Sequence, residues 1–328
     1  MAICIARRDA IIGAGAAALA WPLGVKAQAT PVIGFINSTS PDQLLHRASA
    51  FRQGLGELGF IERRNVSIEY RWAENHVDRL PRMAADLVHR PVDLMVTTGG
   101  TISARAGKQA SSTTPVVFEI GGDPVAAGLV ADIHHPGGNV TGVTLNAVDL
   151  APKQLALVRE VQPKAAKIGF LVNPDNPNTE PRTRLEAAAA AVGLQVIVIN
   201  VTNETGFDAP FAALVQQRVD ALLVGNDPFL INWRDKIVAL AAHHRIPTVF
   251  AYADYVAAGG LISYGASIPE AYRQVGVYAG RILKGEKPGD LPVAVSSKFE
   301  LAVNVVTART LRLELPRELL ARADRVIE

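Results

Sequence analysis

Residues 93–119 read DLMVTTGGTISARAGKQASSTTPVVFE. Asp93–Val96 reads as a short buried strand, Thr101–Ala110 as the helix behind it, and Pro115–Glu119 as the next strand. The joining loop, Thr97-Thr98-Gly99-Gly100-Thr101, opens the helix. This strand–helix–strand unit sets the rhythm of the whole chain. Upstream, Pro31–Ile36 is a strand, and Ser40-Pro41-Asp42-Gln43 starts a helix with Ser as N-cap, Pro at the first helical position and Gln43 closing a capping box. Leu44, Ala48, Phe51, Leu55 and Leu58 then form one helical face, which Gly59 ends. Asn65–Tyr70 is a strand and Val77–His89 a helix. Downstream, Asp123-Pro124 caps a helix reaching Ala131, and Asn139–Leu145 is extended.

The rhythm restarts at residue 151. Helices are expected over Ala151–Val161, Pro181–Val192, Phe207–Gln217, Asn232–His243, Tyr255–Ala258 and Pro269–Leu283. Strands are expected over Lys167–Val172, Gln195–Asn200, Ala221–Val224, Thr248–Phe250 and Leu261–Tyr264. Two β-rich segments, Leu291–Val295 and Lys298–Val305, precede two short C-terminal helices. Near-continuous apolar strands separated by helices imply parallel sheets covered on both faces. The fold class is therefore α/β, with two doubly wound parallel-sheet lobes. In open α/β sheets ligands bind beyond the carboxyl ends of the strands, so two facing lobes make a cleft. That architecture alone suits a binding protein, a two-lobed enzyme or a ligand-sensing regulator.

Composition agrees. The chain has 328 residues, 49% hydrophobic and 20% charged, enough for two folded domains. The first 29 residues read as an export signal: Arg7-Arg8, the apolar stretch Ile11–Ala20, and Ala27-Gln28-Ala29, with cleavage expected after Ala29. The paired arginines fit a twin-arginine signal or a Sec signal. The apolar stretch is too short to be a lasting anchor. The formal net charge is +2, but the leader holds three basic residues and one acidic, which leaves 30 of each sign beyond it. No basic excess favours nucleic acid, and a signal occupies the space before the first strand where a DNA-binding regulator would carry its helix-turn-helix. The single cysteine, Cys4, lies in the leader, so no disulfide framework or cysteine-based metal site is expected. The expected location is the periplasm.

Several strings, in order and at consistent spacing, carry a resemblance: Trp21-Pro22-Leu23, Tyr70-Arg71-Trp72-Ala73, Gly122-Asp123-Pro124 running on to Val130, Pro136-Gly137-Gly138-Asn139, Asn173-Pro174-Asp175-Asn176-Pro177, Ala257-Ala258-Gly259-Gly260, and Lys298-Phe299-Glu300-Leu301. Together they resemble the substrate-binding proteins of ABC transporters of the tryptophan/tyrosine type, over essentially the whole chain. The resemblance implies a type I periplasmic-binding-protein fold, with two lobes, three crossovers and the ligand in the cleft. It also implies an ABC permease and an ATPase as partners. The lobes expected are residues 30–145 with about 267–297, and residues 146–266 with about 298–328. The ligand expected is a small organic acid or an amino acid, aromatic ones included. A sensor subunit of the same fold, recognisable by a kinase gene beside it, and an exported enzyme are the rivals.

Candidate ligand contacts are the residues at strand ends. In the first lobe these are Asn37, Ser38, Thr39, Thr98, Gly99, Gly100 and Asp123. Small hydroxyls and glycines at a helix start let backbone N–H groups approach an anion. Capping and turn chemistry explain the same residues, and Asp123 is a good N-cap. In the second lobe the candidates are Asn173, Asn226, Asp227, Phe229, Tyr252 and Asp254. An acid there can pair with a ligand ammonium, an aromatic can stack or face a cation, and Asp227 and Asp254 can equally cap the next helix. Trp72 either lines the cleft or packs as a plug. Enzyme signatures are missing: there is no G-x-S-x-G elbow, and Gly100–Gln109 departs from the P-loop in spacing and in lacking Ser or Thr after Lys108. No cofactor or metal is expected; His243-His244 points two ways from one helix.

Overall fold

Strands that are apolar on both faces need helices on both sides, and the chain satisfies this twice. The computed structural model describes residues 30–41, 45–90, 92–145, 150–176, 180–203 and 206–328. The leader, with Arg7-Arg8 and Ala27-Gln28-Ala29, lies outside the described residues, as do Asp42 and Gln43 of the expected capping box. The first half contains β1 (Val32–Asn37), α1 (Leu45–Glu57), β2 (Ser67–Trp72), α2 (Leu80–His89), β3 (Leu94–Thr98), α3 (Thr101–Ala110), β4 (Val116–Ile120) and β5 (Val140–Thr144). The second contains α4 (Ala151–Val161), β6 (Lys167–Val172), α5 (Glu180–Ala191), β7 (Gln195–Asn200), α6 (Asp208–Gln216), β8 (Ala221–Val224), α7 (Pro228–Asn232), α8 (Arg234–His243), β9 (Thr248–Phe250), α9 (Ala253–Ala257) and β10 (Ile262–Ala266). The chain then runs through α10 (Ile268–Leu283), β11 (Ala294–Val295), β12 (Phe299–Asn304), α11 (Val305–Leu311), α12 (Arg317–Ala321) and β13 (Arg325–Ile327).

Two sheets result, ordered β11-β5-β4-β3-β1-β2 and β13-β12-β10-β9-β8-β6-β7. In each, the order reverses beside the first strand, between β1 and β3 and between β6 and β8. A crevice opens at such a switch point because neighbouring connections leave to opposite faces. The chain passes from one sheet to the other after β5, returns after β10, and passes again after β11. On its return α10 packs against α1 through two glycines. A Cβ on Gly54 would lie 1.8 Å from the Arg273 carbonyl oxygen, and one on Gly276 would lie 2.1 Å from that of Phe51. Only glycine permits backbones so close. The buried face of α1 includes Ala48, Phe51 and Leu55, as its spacing predicts.

Four local expectations are corrected. Residues 124–131 form turns, not a helix: Leu129 donates to the Pro124 carbonyl, and Gly128 takes a φ of +68°, which turns the backbone before a second helical turn can form. The helix expected over 232–243 begins at Pro228 and breaks at Trp233, whose ψ of 19° separates α7 from α8. The second sheet is not purely parallel, since β10 and β12 run antiparallel. The strand β13, beside β12, was not expected; it is three residues with no apolar run. No helix among the described residues is long and apolar enough to cross a membrane.

Candidate functional site

The two switch points face each other across a cavity of about 190 Å³ lined from both sheets. In the first half, β1 ends at Asn37, whose side chain is fully used. Its Nδ2 donates to Thr98 Oγ1 (2.7 Å) and Tyr272 OH (3.2 Å), while its Oδ1 accepts from the Thr39 N–H (2.7 Å) and Thr39 Oγ1 (2.8 Å). Ser38 Oγ donates to the Gly99 carbonyl at 2.7 Å. Gly99 and Gly100 have φ of +81° and +97°, a region L side chains avoid. A Cβ on Gly99 would also lie 2.5 Å from Ser38 Oγ. These bonds hold the start of α3 at the cavity edge with no side chain capping it among the described residues, which leaves its first N–H groups for an anion.

In the second half, Asp227 ends the β8 loop as the N-cap of α7. It is buried and accepts from the Leu230 N–H (2.9 Å), Asn176 Nδ2 (2.7 Å) and Asn173 Nδ2 (3.3 Å). Burial pushes its carboxyl upward, and those donors oppose the shift. Tyr252 OH donates to Asn226 Oδ1. Asn226 Nδ2 is buried with no partner among the described residues. Phe229 adds an apolar wall, stacked on Phe207 with centroids 6.0 Å apart.

Of the candidates named from sequence, Asn37, Ser38, Thr39, Gly99, Gly100, Asn173, Asn226, Asp227, Phe229 and Tyr252 line the cavity. Three do not. Thr98 lies beneath it, fully buried, holding Asn37. Asp123 is exposed and accepts from the N–H groups of Val125 (2.7 Å) and Ala126 (3.2 Å), so its oxygen serves the turn. Asp254 is paired instead with Arg47 (3.1 Å) and His46 (3.2 Å) of α1, across the cleft. Burial opposes ionisation of Asp254, but Arg47 and His46 outweigh it and hold the carboxyl well below the usual range. Trp72 packs, stacked on Tyr70 at 5.8 Å and against Phe35.

Sequence reasoning missed Arg47, Glu119 and Tyr272, all on the cavity wall. Glu119 had a readable signal, a lone carboxylate in an apolar strand. It is 6% exposed and its carboxyl is pushed up to about 7: burial dominates, and the Arg47 charge and the Gly99 N–H only partly offset it. Arg47 sits on a helix whose polar residues look solvated, and Tyr272 arrives from a helix that returns late in the chain.

The halves meet closely. A Cβ on Gly121 would lie 2.7 Å from Asn226 Nδ2. Its φ is not in the left-handed region, so a side chain there burdens the contact and not the backbone. Gly121→Val is expected to weaken solute binding roughly 5- to 150-fold, the equivalent of about 1–3 kcal/mol of overpacking. The melting temperature without solute should stay near wild type. Titration calorimetry and thermal unfolding check both parts, and unchanged affinity would show that this contact is irrelevant to binding.

Comparison with known proteins adds to this geometry. The family model described as ABC transporter substrate binding protein matches residues 32–327. A tyrosine-binding protein of Clostridioides difficile is 27% identical over 266 residues, 80% of this chain and 76% of that protein. An ABC domain from Streptococcus pneumonia solved in complex with L-Trp is 27% identical, with a TM-score of 0.83 over 91% of this chain and 100% of that one. The ligand-free, open structure of a substrate binding protein with adhesive properties from Clostridium difficile is 26% identical, over 91% and 99%, yet has a TM-score of 0.68. At equal coverage and near-equal identity, the arrangement of this chain lies closer to the L-Trp complex than to the open form.

Proposed function

This chain belongs to the ABC transporter substrate binding protein family, and on that premise we propose that it captures an aromatic amino acid between its lobes and presents it to a membrane permease driven by an ATPase. The observation that carries this reading is the cavity itself, lined by the switch-point loops of both sheets. The open α3 start suits the carboxylate of an amino acid, and Phe229 offers an apolar wall to its ring. The ligands named for the two relatives, tyrosine and L-Trp, are aromatic amino acids. We place the lobe boundaries where the chain changes sheet: residues 30–145 with 267–297, and 146–266 with 298–328. Residues 1–29 direct export to the periplasm and are removed after Ala29.

No bond is made or broken in this mechanism. Solute touches both lobes only when they are closed, and that differential contact shifts the population towards closure. Thermal-shift screening of residues 30–328 against L-tryptophan, L-tyrosine and L-phenylalanine tests the reading. A solute at 100 times its Kd should stabilise the protein by about 2.7 kcal/mol. If none of the three raises the melting temperature at millimolar concentration, the proposal fails.

A further inference from the structure

Glu119 lines the cavity, is buried, and accepts only the Gly99 N–H; no side chain donates to it among the described residues. The charged and titratable groups around it are Arg47 from α1, Tyr272 from α10 and Tyr252 from the loop after β9. Arg47 is engaged by Asp254. The two tyrosines are held neutral, their hydroxyls pushed upward chiefly by burial. Glu119 thus shares the Arg47 charge with Asp254 and has no hydrogen-bonded cation of its own among the described residues. Of the other acids, Asp227 has donors on both oxygens, Asp254 has Arg47 and His46, and Asp175, also on the cavity wall, is exposed to water. Across the cavity, Asn226 Nδ2 is a buried donor in need of an acceptor. The wall thus asks one solute for a cationic donor and for an acceptor.

We infer that Glu119 is the specificity-determining counter-ion for a protonated amine on the solute, so that the site selects amino acids over the corresponding organic acids. The inference rests on the proposed capture of an aromatic amino acid in this cavity. An acid of the same shape without the amine leaves Glu119 uncompensated when the lobes close. It must then take up a proton or keep the cleft open. With an amine present, the carboxylate is ionised and paired. The sign of the pH effect follows. The protonated carboxyl cannot pair with an ammonium, so affinity for the amino acid falls as pH drops below about 7.

Calorimetric titration of wild type, Glu119→Gln and Glu119→Asp with L-tryptophan and with indole-3-propionate, at pH 8 and pH 5.5, tests this. Wild type should prefer L-tryptophan at pH 8 by roughly 10- to 150-fold, the worth of a charge-assisted hydrogen bond, and should lose part of that preference at pH 5.5. Glu119→Gln should bind both compounds within a few-fold of one another and show no such pH dependence, while Glu119→Asp keeps part of the preference. Circular dichroism establishes that the variants are folded. Equal preference in wild type and folded Glu119→Gln would overturn the inference while leaving capture in the cavity standing. If wild type binds neither compound and none of the aromatic amino acids, the functional reading fails and takes this inference with it.

Discussion

Asp254→Ala is expected to weaken solute binding by roughly 150-fold, about 3 kcal/mol, although Asp254 does not line the cavity. The reason is its partner. The Arg47 and Asp254 side chains are 8% and 12% exposed and meet at 3.1 Å, one from each lobe. Removing one member of a buried pair leaves the other charge uncompensated, at about 3–5 kcal/mol. The loss lies at the lower end because Glu119 also lies in the field of Arg47. The cost falls on the closed arrangement, where the pair forms; with the cleft open, Arg47 can be hydrated. Affinity should therefore fall while the melting temperature without solute changes little. Adding Arg47→Met should recover part of the loss, since the stranded charge is then gone. Calorimetry and thermal unfolding on the single and double variants decide it. Wild-type affinity in Asp254→Ala would show that the pair contributes nothing to closure.

Asp227→Ala is expected to act the other way round, mainly on stability. The carboxylate caps α7 and collects two asparagine amides. Losing the cap costs about 1 kcal/mol. Taking this acceptor from the partly buried Asn173 and Asn176 amides adds about 1–2 kcal/mol. A total near 2–3 kcal/mol should lower the melting temperature by roughly 5–10 °C. Asp227→Asn should be almost as damaging, because its Nδ2 would face the two donor amides. Thermal unfolding without solute measures this. A melting temperature within about 1 °C of wild type in both variants would contradict the structural role, since a lost cap alone should show more.

For Asp227 the structure shows the capping role that the sequence left open, and for Asp254 a pairing with α1 that it did not offer, and the reason is physical. The strand–helix rhythm is local, written in apolar runs and turn residues, so most elements could be read, α3, α4, β6, β7 and β8 at their observed limits. Strand ends could then be read, and most residues placed there do line the cavity. Strand order is not local. Nothing in the apolar runs says that β1 lies between β2 and β3, so the switch points emerge only from pairing. Partners are not local either. Asp254 meets Arg47 from 207 positions away and Tyr272 reaches Asn37 across 235. A sequence window can show that an acid follows a strand, but not that a distant guanidinium has claimed it. Glu119 is the exception. A charge inside the strand Val116–Ile120, otherwise wholly apolar, marks itself; the candidates named from sequence belong to the loops expected beyond the strands, and Glu119 belongs to the strand itself.

Binding as proposed requires that a solute be held between the two lobes by both switch points. A crystal structure of residues 30–328 grown with L-tryptophan tests it most directly. The account predicts one molecule in the cavity, its carboxylate at the start of α3, its amine at Glu119, and side chains of both lobes in contact with it. Density for the amino acid against one lobe alone, or outside the cavity, would contradict it.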